Sequence, residues 1–345
     1  MGKLPFTTLF SDQWTRLQPV LAVDLTGKTV VVVGANTGIG FEAAKHFARM
    51  GPARLILACR NEQKGRDAAE LIAKETSHAA EVQLVDLGDF ASVVAFAKRL
   101  ENDPVDILVA NAGVSLKEYR TTKDGWEEMV HVNHLSTSLL ALLLLPNLVK
   151  AAEQHSSTSR LVIVGSETHF WTKFDTDLVN SDVGLLKKLS DKEYCTPQVM
   201  SHRYFDSKLL NILFTRALSR HLSSSTPVAT SVVNPGFCVS DLGRNSSFAE
   251  RILGTVMGFI MGRTPEQGSR QLVWAALGPD GKEGPHVKQN MNGAYVSIAE
   301  VREPSDFAIS KEGWEAQEKL WNETIDILSE VEPSVRTVVS KYASN

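Results

Sequence analysis

Short runs of β-branched and aliphatic residues alternate along this chain with longer stretches whose apolar positions recur at helical spacing. Strand candidates fall at 28–33, 54–58, 81–85, 107–110, 160–164, 228–233 and 293–296. The first five begin roughly 25 to 50 residues apart, which leaves room for a crossover helix each time. That alternation predicts βαβ units around a parallel sheet, an α/β architecture.

Three segments break the rhythm. Residues 1–23 precede the first strand and are expected to lie across the surface. Residues 167–200 follow the fifth strand and are polar throughout. Residues 239–263 follow the sixth and hold an apolar stretch at 252–261, bracketed by Arg251 and Arg263, with Gly254, Gly258 and Gly262 every fourth residue. Small residues at that spacing allow close helix packing. The composition predicts a mobile substrate lid, against the plainer reading of a fixed surface helix. With no linker and no repeat, 24–345 reads as one domain carrying a 167–200 insertion and a 239–263 lid, behind an N-terminal extension of 1–23.

Composition narrows the classes. The chain has 345 residues, 43% of them hydrophobic, which is enough for a large core and argues against disorder. A formal net charge of −4 gives no basic stripe for nucleic acid. Cys59, Cys195 and Cys238 are far apart and form no CxxC pair, which fits a reducing, cytoplasmic compartment. The nine histidines include no HExxH, so no metal site is expected. The N-terminus lacks the apolar core of a signal peptide. The most apolar run, 139–145, ends at Pro146 and is far short of the roughly twenty residues a membrane span needs, so a buried helix is expected instead.

Candidate chemistry gathers at the predicted strand ends. The first strand runs into Gly34-Ala-Asn-Thr-Gly38-Ile-Gly40, and a helix pattern follows at once. Glycines permit a tight turn with close ligand approach, and the helix N-terminus offers unpaired N–H groups to phosphate. Gly34, Asn36, Thr37, Gly38, Ile39 and Gly40 are therefore candidates for binding a dinucleotide. The second strand ends Ala58-Cys59-Arg60 with no acid for a ribose 2′-OH, and Arg60 is placed for a 2′-phosphate, which favours NADP(H). Asp86, with Leu87, closes the third strand and is a candidate for the adenine amino group, or else a turn former. Asn111-Ala112-Gly113 ends the fourth strand with a small backbone against which a cofactor can lie. Pro235-Gly236 follows the sixth, either as a wall of the nicotinamide pocket or as a simple turn.

Tyr-x-x-x-Lys sets two side chains on one helix face, where a Lys ammonium can stabilise phenolate and tune a Tyr for proton transfer. The spacing occurs twice, at Tyr119/Lys123 and at Tyr204/Lys208. The first pair sits among Thr, Asp and Gly and reads as loop. The second opens a strong helix between the fifth and sixth strands and is the one placed to reach the cofactor edge. Ser166 directly follows the fifth strand, where a hydroxyl can hold a substrate oxygen. Asn133 lies in a helical stretch, an unfavourable site for Asn that invites a reason. His131 and His134, beside it, read as surface or core residues.

In their order along the chain, Gly34xxxGly38xGly40, Asn111-Ala-Gly113, Asn133, Ser166, Tyr204xxxLys208 and Pro235-Gly236 resemble the signature of the short-chain dehydrogenase/reductase family, over roughly residues 24 to 300. The resemblance implies a Rossmann-type, doubly wound sheet of seven parallel strands and an Asn133–Ser166–Tyr204–Lys208 tetrad. It implies that Ser166 holds the substrate, Tyr204 is the acid/base, Lys208 binds the nicotinamide ribose and tunes Tyr204, and Asn133 helps hold a proton-relaying water. GANTGIG followed by ACRN looks like the retinol dehydrogenase-like branch, which mostly uses NADP(H). The chain departs from the family in the 38 residues between Ser166 and Tyr204, usually a much shorter spacing, and from the branch in lacking its membrane anchor.

The expected activity is interconversion of a carbonyl and an alcohol on a medium-sized apolar small molecule, running as reduction with NADPH. A lyase or isomerase on the same fold, or a cofactor-sensing binding protein, are the alternatives. No nucleic acid and no integral membrane span is expected, and similar proteins are usually two- or four-fold assemblies, so a homo-oligomer is allowed.

Overall fold

Four consecutive valines in β1 (Thr29–Val33) are buried because both faces of the strand are covered. Val31 and Val33 join one apolar layer, Val30 and Val32 the other, as the two-residue period of a strand requires. The computed structural model describes residues 11–238, 262–279, 281 and 285–343.

The remaining strands are β2 (Arg54–Cys59), β3 (Glu81–Leu84), β4 (Ile107–Ala110), β5 (Ser159–Val164), β6 (Val228–Asn234), β7 (Ala294–Ser297) and β8 (Glu300–Arg302). They form one sheet in the order β3-β2-β1-β4-β5-β6-β7-β8. The first seven run parallel, as the family resemblance implies, and β8 is an antiparallel addition. Val33 is level with both Ala58 and Ala110, and Val164 with Val233, so the carboxyl ends of the central strands open onto one edge. The chain reverses direction across the sheet between β1 and β4, where doubly wound sheets leave a crevice for ligands.

One face is covered by α1 (Gly38–Ala48), α2 (Glu62–Thr76) and, from later in the chain, the helix Pro265–Leu277. The other is covered by α3 (Phe90–Arg99), α4 (Ser136–Leu143), α5 (Leu145–His155) and α6 (Arg203–His221). Helix α6 is buried over most of its length because it is sandwiched between the sheet and the helix Lys311–Val331, whose Trp321 stacks on Phe214 and His221. The apolar run at 139–145 is indeed buried, in α4 and the start of α5, with the break at Leu144 ahead of Pro146. Among the described residues no single helix is long and apolar enough to cross a membrane; the one pair that approaches this, Val130–Leu143 with Leu145–His155, is bent by 42° and packs in the core.

The β7–β8 hairpin has a two-residue turn, Ile298-Ala299, with φ of 49° and 57°. Both residues are left-handed, as the right-handed strand twist demands of such a turn. Ala299 N–H donates to Gln271 Oε1 at 2.7 Å, which helps hold an Ile in a conformation that β-branched residues avoid.

The 167–200 insertion is folded into short helices, Glu167–Trp171, Thr176–Val179, Leu185–Ser190 and Pro197–Met200. Part of the N-terminal extension does more than cross the surface: Gln13 and Leu17 are buried. The predicted lid falls at 239–261 outside the described residues; of its last two positions, Arg263 is buried.

Candidate active site

The glycine turn is built as its sequence demands. Gly34 has φ of 77°, and its N–H donates to Ala58 O at 2.7 Å, closing the turn against β2. A Cβ on Gly40 would sit 2.4 Å from both Gly34 O and Asn111 Nδ2, so only glycine fits where the first turn of α1 folds back on the loop. Asn111 ties β4 to this turn through Nδ2, which donates to Val33 O and Gly34 O, both at 3.2 Å. No acidic residue lies in the first turn of α1, which leaves that helix end electrostatically open to an anion.

Arg60 stands exposed just beyond β2, and no ion pair or hydrogen bond among the described residues engages it. Asn61 next to it caps α2, accepting Lys64 N–H at 2.9 Å. Asp86 follows β3 by two residues, since the strand ends at Leu84; its Oδ1 accepts Gly88 N–H at 2.9 Å, the turn-forming role, and Leu87 is buried. These residues, the glycine turn, Asn111-Ala112-Gly113 and Pro235-Gly236 all lie at carboxyl ends of parallel strands. Gly268 links two of them: a Cβ there would meet Cys238 Sγ at 2.4 Å and Ile39 Cδ1 at 3.6 Å, so the glycine turn and the chain just past Pro235-Gly236 are near neighbours. Burial pushes the Cys238 thiol up to about 12.

The four tetrad candidates converge. Asn133 lies within a π-helical turn, Val130–Leu135, in which Ser136 N–H donates to His131 O five residues back. Such a turn inside an α-helix is common at functional sites. The buried Asn133 side chain accepts Val114 N–H (2.8 Å) and donates to Val114 O (2.9 Å) and Ser207 Oγ (3.0 Å). Ser207 in turn donates to Tyr204 O at 2.8 Å. A Cβ on Gly113 would meet Asn133 Oδ1 at 3.1 Å and Lys208 Nζ at 3.8 Å, so these three share one spot.

The Tyr204 phenol stands beside the Ser166 side chain. Burial pushes the Tyr204 phenol above its usual range, and the Ser166 side chain pulls the other way. Lys208 Nζ donates to Val164 O at 2.8 Å and lies 5.6 Å from the centre of the Tyr204 ring. Burial lowers Lys208 to about 8.

Ser166 is itself held by His169. Ser305 N–H donates to His169 Nε2 at 3.1 Å, so the proton resides on Nδ1, which donates to Ser166 O at 2.7 Å. Burial lowers His169 to about 4, which keeps the ring neutral. Glu167 N–H donates to Asn234 Oδ1 (3.2 Å) and Asn234 Nδ2 donates to Glu167 Oε2 (3.3 Å), which fastens the end of β5 to the end of β6.

Sequence reasoning missed Ser207, His169, Glu167 and Asn234. The Ser inside Tyr204-Phe-Asp-Ser207-Lys208 was in view; the others act through contacts 63 to 136 positions away, which no local pattern carries. The first Tyr-x-x-x-Lys is loop, as its composition predicts: Tyr119 OH donates to Ser190 O at 3.1 Å and Lys123 pairs with Asp89 at 2.7 Å. His131 and His134 are core residues, against Phe90 and Phe214 respectively.

A parallel sheet wound in this order, with polar side chains collected beside a glycine turn at its ligand edge, defines a Rossmann-type oxidoreductase. The short chain dehydrogenase family model matches residues 28–172. The chain is 36% identical to the short chain dehydrogenase/reductase dmxR8 of Cryptosporiopsis sp., over 95% of this chain and 98% of that one, and 40% identical to the short chain dehydrogenase sol3 of Alternaria solani, over 80% and 90%. It belongs to the short-chain dehydrogenase/reductase family. Among solved structures, an uncharacterized protein from Mycobacterium paratuberculosis superposes with a TM-score of 0.62 at 25% identity, covering 89% of this chain and 97% of that one. The L-sorbose reductase of Gluconobacter frateurii shares the fold, with a TM-score of 0.57 at 16% identity over 80% and 96%.

Proposed function

We propose that this oxidoreductase uses NADP(H) to interconvert a carbonyl and an alcohol on a medium-sized apolar substrate, with Tyr204 as the acid/base. The observation that carries the reading is the convergence of Ser166, Tyr204 and Lys208 at the mouth of β5, backed by the Asn133–Ser207 link. The whole of 24–345 serves as one catalytic domain.

The residues present fit the cofactor. The cradle that a Cβ on Gly40 would fill, with Gly34, Asn36, Thr37, Gly38 and Ile39, suits a pyrophosphate at a helix N-terminus. Arg60 is an uncommitted guanidinium for a 2′-phosphate, and Asp86, beside Leu87, keeps one carboxylate oxygen for the adenine amino group. Asn111, Ala112, Gly113, Tyr204, Lys208, Pro235 and Gly236 take the ribose and nicotinamide end. The bound nicotinamide supplies or accepts the hydride.

In the reductive direction Ser166 donates a hydrogen bond to the substrate carbonyl oxygen and Tyr204 gives that oxygen its proton as it becomes an alkoxide. A phenol held protonated by burial is suited to donate. Asn133 fixes the 114 backbone beside Gly113, and Lys208 stands behind the Tyr204 ring. Around Tyr204 packs a separate apolar cluster of Leu116, Met129, Cys195 and Met200 flanked by Tyr119 and Tyr194, which supports an apolar substrate. Three free thiols support the cytoplasmic assignment.

A panel of carbonyls and alcohols, followed by the absorbance of the reduced nicotinamide with NADPH and NADH in parallel, tests the reading. Stoichiometric NADPH loss is expected, with NADH used poorly; Tyr204→Phe should lose at least about a hundredfold in turnover. Equal use of both cofactors would sink the role of Arg60. Full activity in Tyr204→Phe would sink the proton transfer, and turnover without cofactor loss would replace redox chemistry with a lyase or isomerase reaction.

A further inference from the structure

We propose that Gln13, with the backbone of Asp12, is a positioning residue for the nicotinamide end of the cofactor site, acting through the Pro235-Gly236-Phe237 turn; the inference rests on the proposed role of that turn.

Gln13 is buried, and its carboxamide engages one residue with both ends. Phe237 N–H donates to Gln13 Oε1 at 3.0 Å and Gln13 Nε2 donates to Phe237 O at 2.7 Å. That is the pair of bonds a neighbouring strand would offer, supplied by a side chain 224 positions away. Arg263, also buried, reaches between the two segments: Nη2 donates to Asp12 O at 2.6 Å and Nη1 to Pro235 O at 3.4 Å. The N-terminal segment is itself fastened twice more, by Asp12 Oδ2 on Arg302 of β8 (2.6 Å) and by Arg270, whose Nη1 donates to Leu17 O (3.0 Å).

Gly236 shows how close this clamp comes. Its φ is 81°, and a Cβ there would lie 2.8 Å from Arg263 Nη1 and 3.0 Å from Gln13 Oε1. From the other side, Gly236 N–H donates to Asn234 Oδ1 at 3.0 Å, the same oxygen that accepts Glu167 N–H. The turn is therefore fixed between the N-terminal segment behind it and the residue after Ser166 in front. Gln13 touches no reacting atom; it sets where the turn stands, and with it the wall against which the nicotinamide lies.

The test compares NADPH with 2′,5′-ADP, which carries the adenine half and no nicotinamide, for the full chain and for Gln13→Ala. NADPH affinity should fall about tenfold, the scale of a net hydrogen bond, while 2′,5′-ADP affinity stays within about twofold. Gln13→Met, which keeps the volume and removes the bonds, should behave as Gln13→Ala does and is read in its place if that variant does not fold. Unchanged NADPH affinity, or equal weakening of both ligands as general loosening would give, overturns the proposal. If the unaltered protein binds neither ligand, the cofactor reading falls and the clamp's role with it. If it binds NADH instead, only Arg60 is reassigned and the same comparison is made between NADH and ADP.

Discussion

Arg203 Nε lies 3.8 Å from a carboxylate oxygen of Glu127, and neither side chain has any exposed surface. Glu127 also accepts Met129 N–H (3.1 Å) and Val130 N–H (2.9 Å), where the helix carrying Asn133 begins. Arg203 precedes Tyr204 and continues to Asp206 (3.3 Å) and Cys195 Sγ (3.3 Å). The pair thus spaces the Asn133 segment from the Tyr204 segment. Glu127→Ala removes one of the two carboxylates on a buried guanidinium and leaves the Met129 and Val130 N–H groups unmet, so it should cost about 1–3 kcal/mol, the scale of an unsatisfied buried group. Urea unfolding measures this, and a loss below about 1 kcal/mol would show the pair to be dispensable.

Glu167 gives a pH signature. Burial raises its carboxyl to about 6 from the ordinary 4.5, so the folded protein holds a proton there that the unfolded chain releases. The resulting stabilisation is complete below pH 4.5, shrinks as pH rises, and is gone above 6. It amounts to about 2 kcal/mol. Unfolding free energies of the parent should therefore fall across that window relative to Glu167→Gln, and parallel curves would remove the assignment.

The glycine cradle is tight enough to be decisive. Gly40→Ala forces a methyl against Gly34 O and the Asn111 amide. The expected outcome is a loss of NADPH binding of at least about a hundredfold, with about 1–3 kcal/mol of destabilisation from overpacking. Wild-type affinity by titration calorimetry would refute the cradle.

The two Tyr-x-x-x-Lys pairs separate by lysine replacement. Lys123 pairs on the surface with Asp89, so Lys123→Ala should keep turnover within about twofold, as surface ion pairs contribute little. Lys208→Ala should lose it by about a hundredfold or more. Comparable losses in both would mean that position in the fold does not distinguish them.

Ile298 and Ala299 both pay for left-handed backbone that Asn and Gly tolerate. The double replacement Ile298→Asn with Ala299→Gly should raise stability by about 1 kcal/mol. A thermal scan that shows no gain would place the hairpin's conformation under the control of Gln271 alone.

That hairpin also marks where the sequence stops being readable. Most of the seven parallel strands announce themselves as short apolar runs separated by helix-period stretches, and their observed ends differ from expectation by at most one residue. β8 is three residues after an Ile-Ala turn with no Asn-Gly signal, and is imposed by Gln271 and by pairing with β7. The tetrad candidates are legible for the same reason as the strands: each sits at a fixed offset from a strand end or on a strong helix. Their supports are not. Ser207, His169 and Asn234 matter through partners that only the folded chain brings near, and Gln13 is a polar residue in a segment whose sequence predicts surface.

A π turn holds one residue more than an α turn, so the one at Val130–Leu135 behaves like a single inserted amino acid that the helix has absorbed. Loss of any one residue from it would relax the segment to ordinary α geometry and swing everything on one side by about 100° relative to the other. Asn133 would then leave Val114 and Ser207 without any change in its own identity. Alignment gaps within this helix, more than substitutions at Asn133, are therefore what would mark relatives that have given up this arrangement.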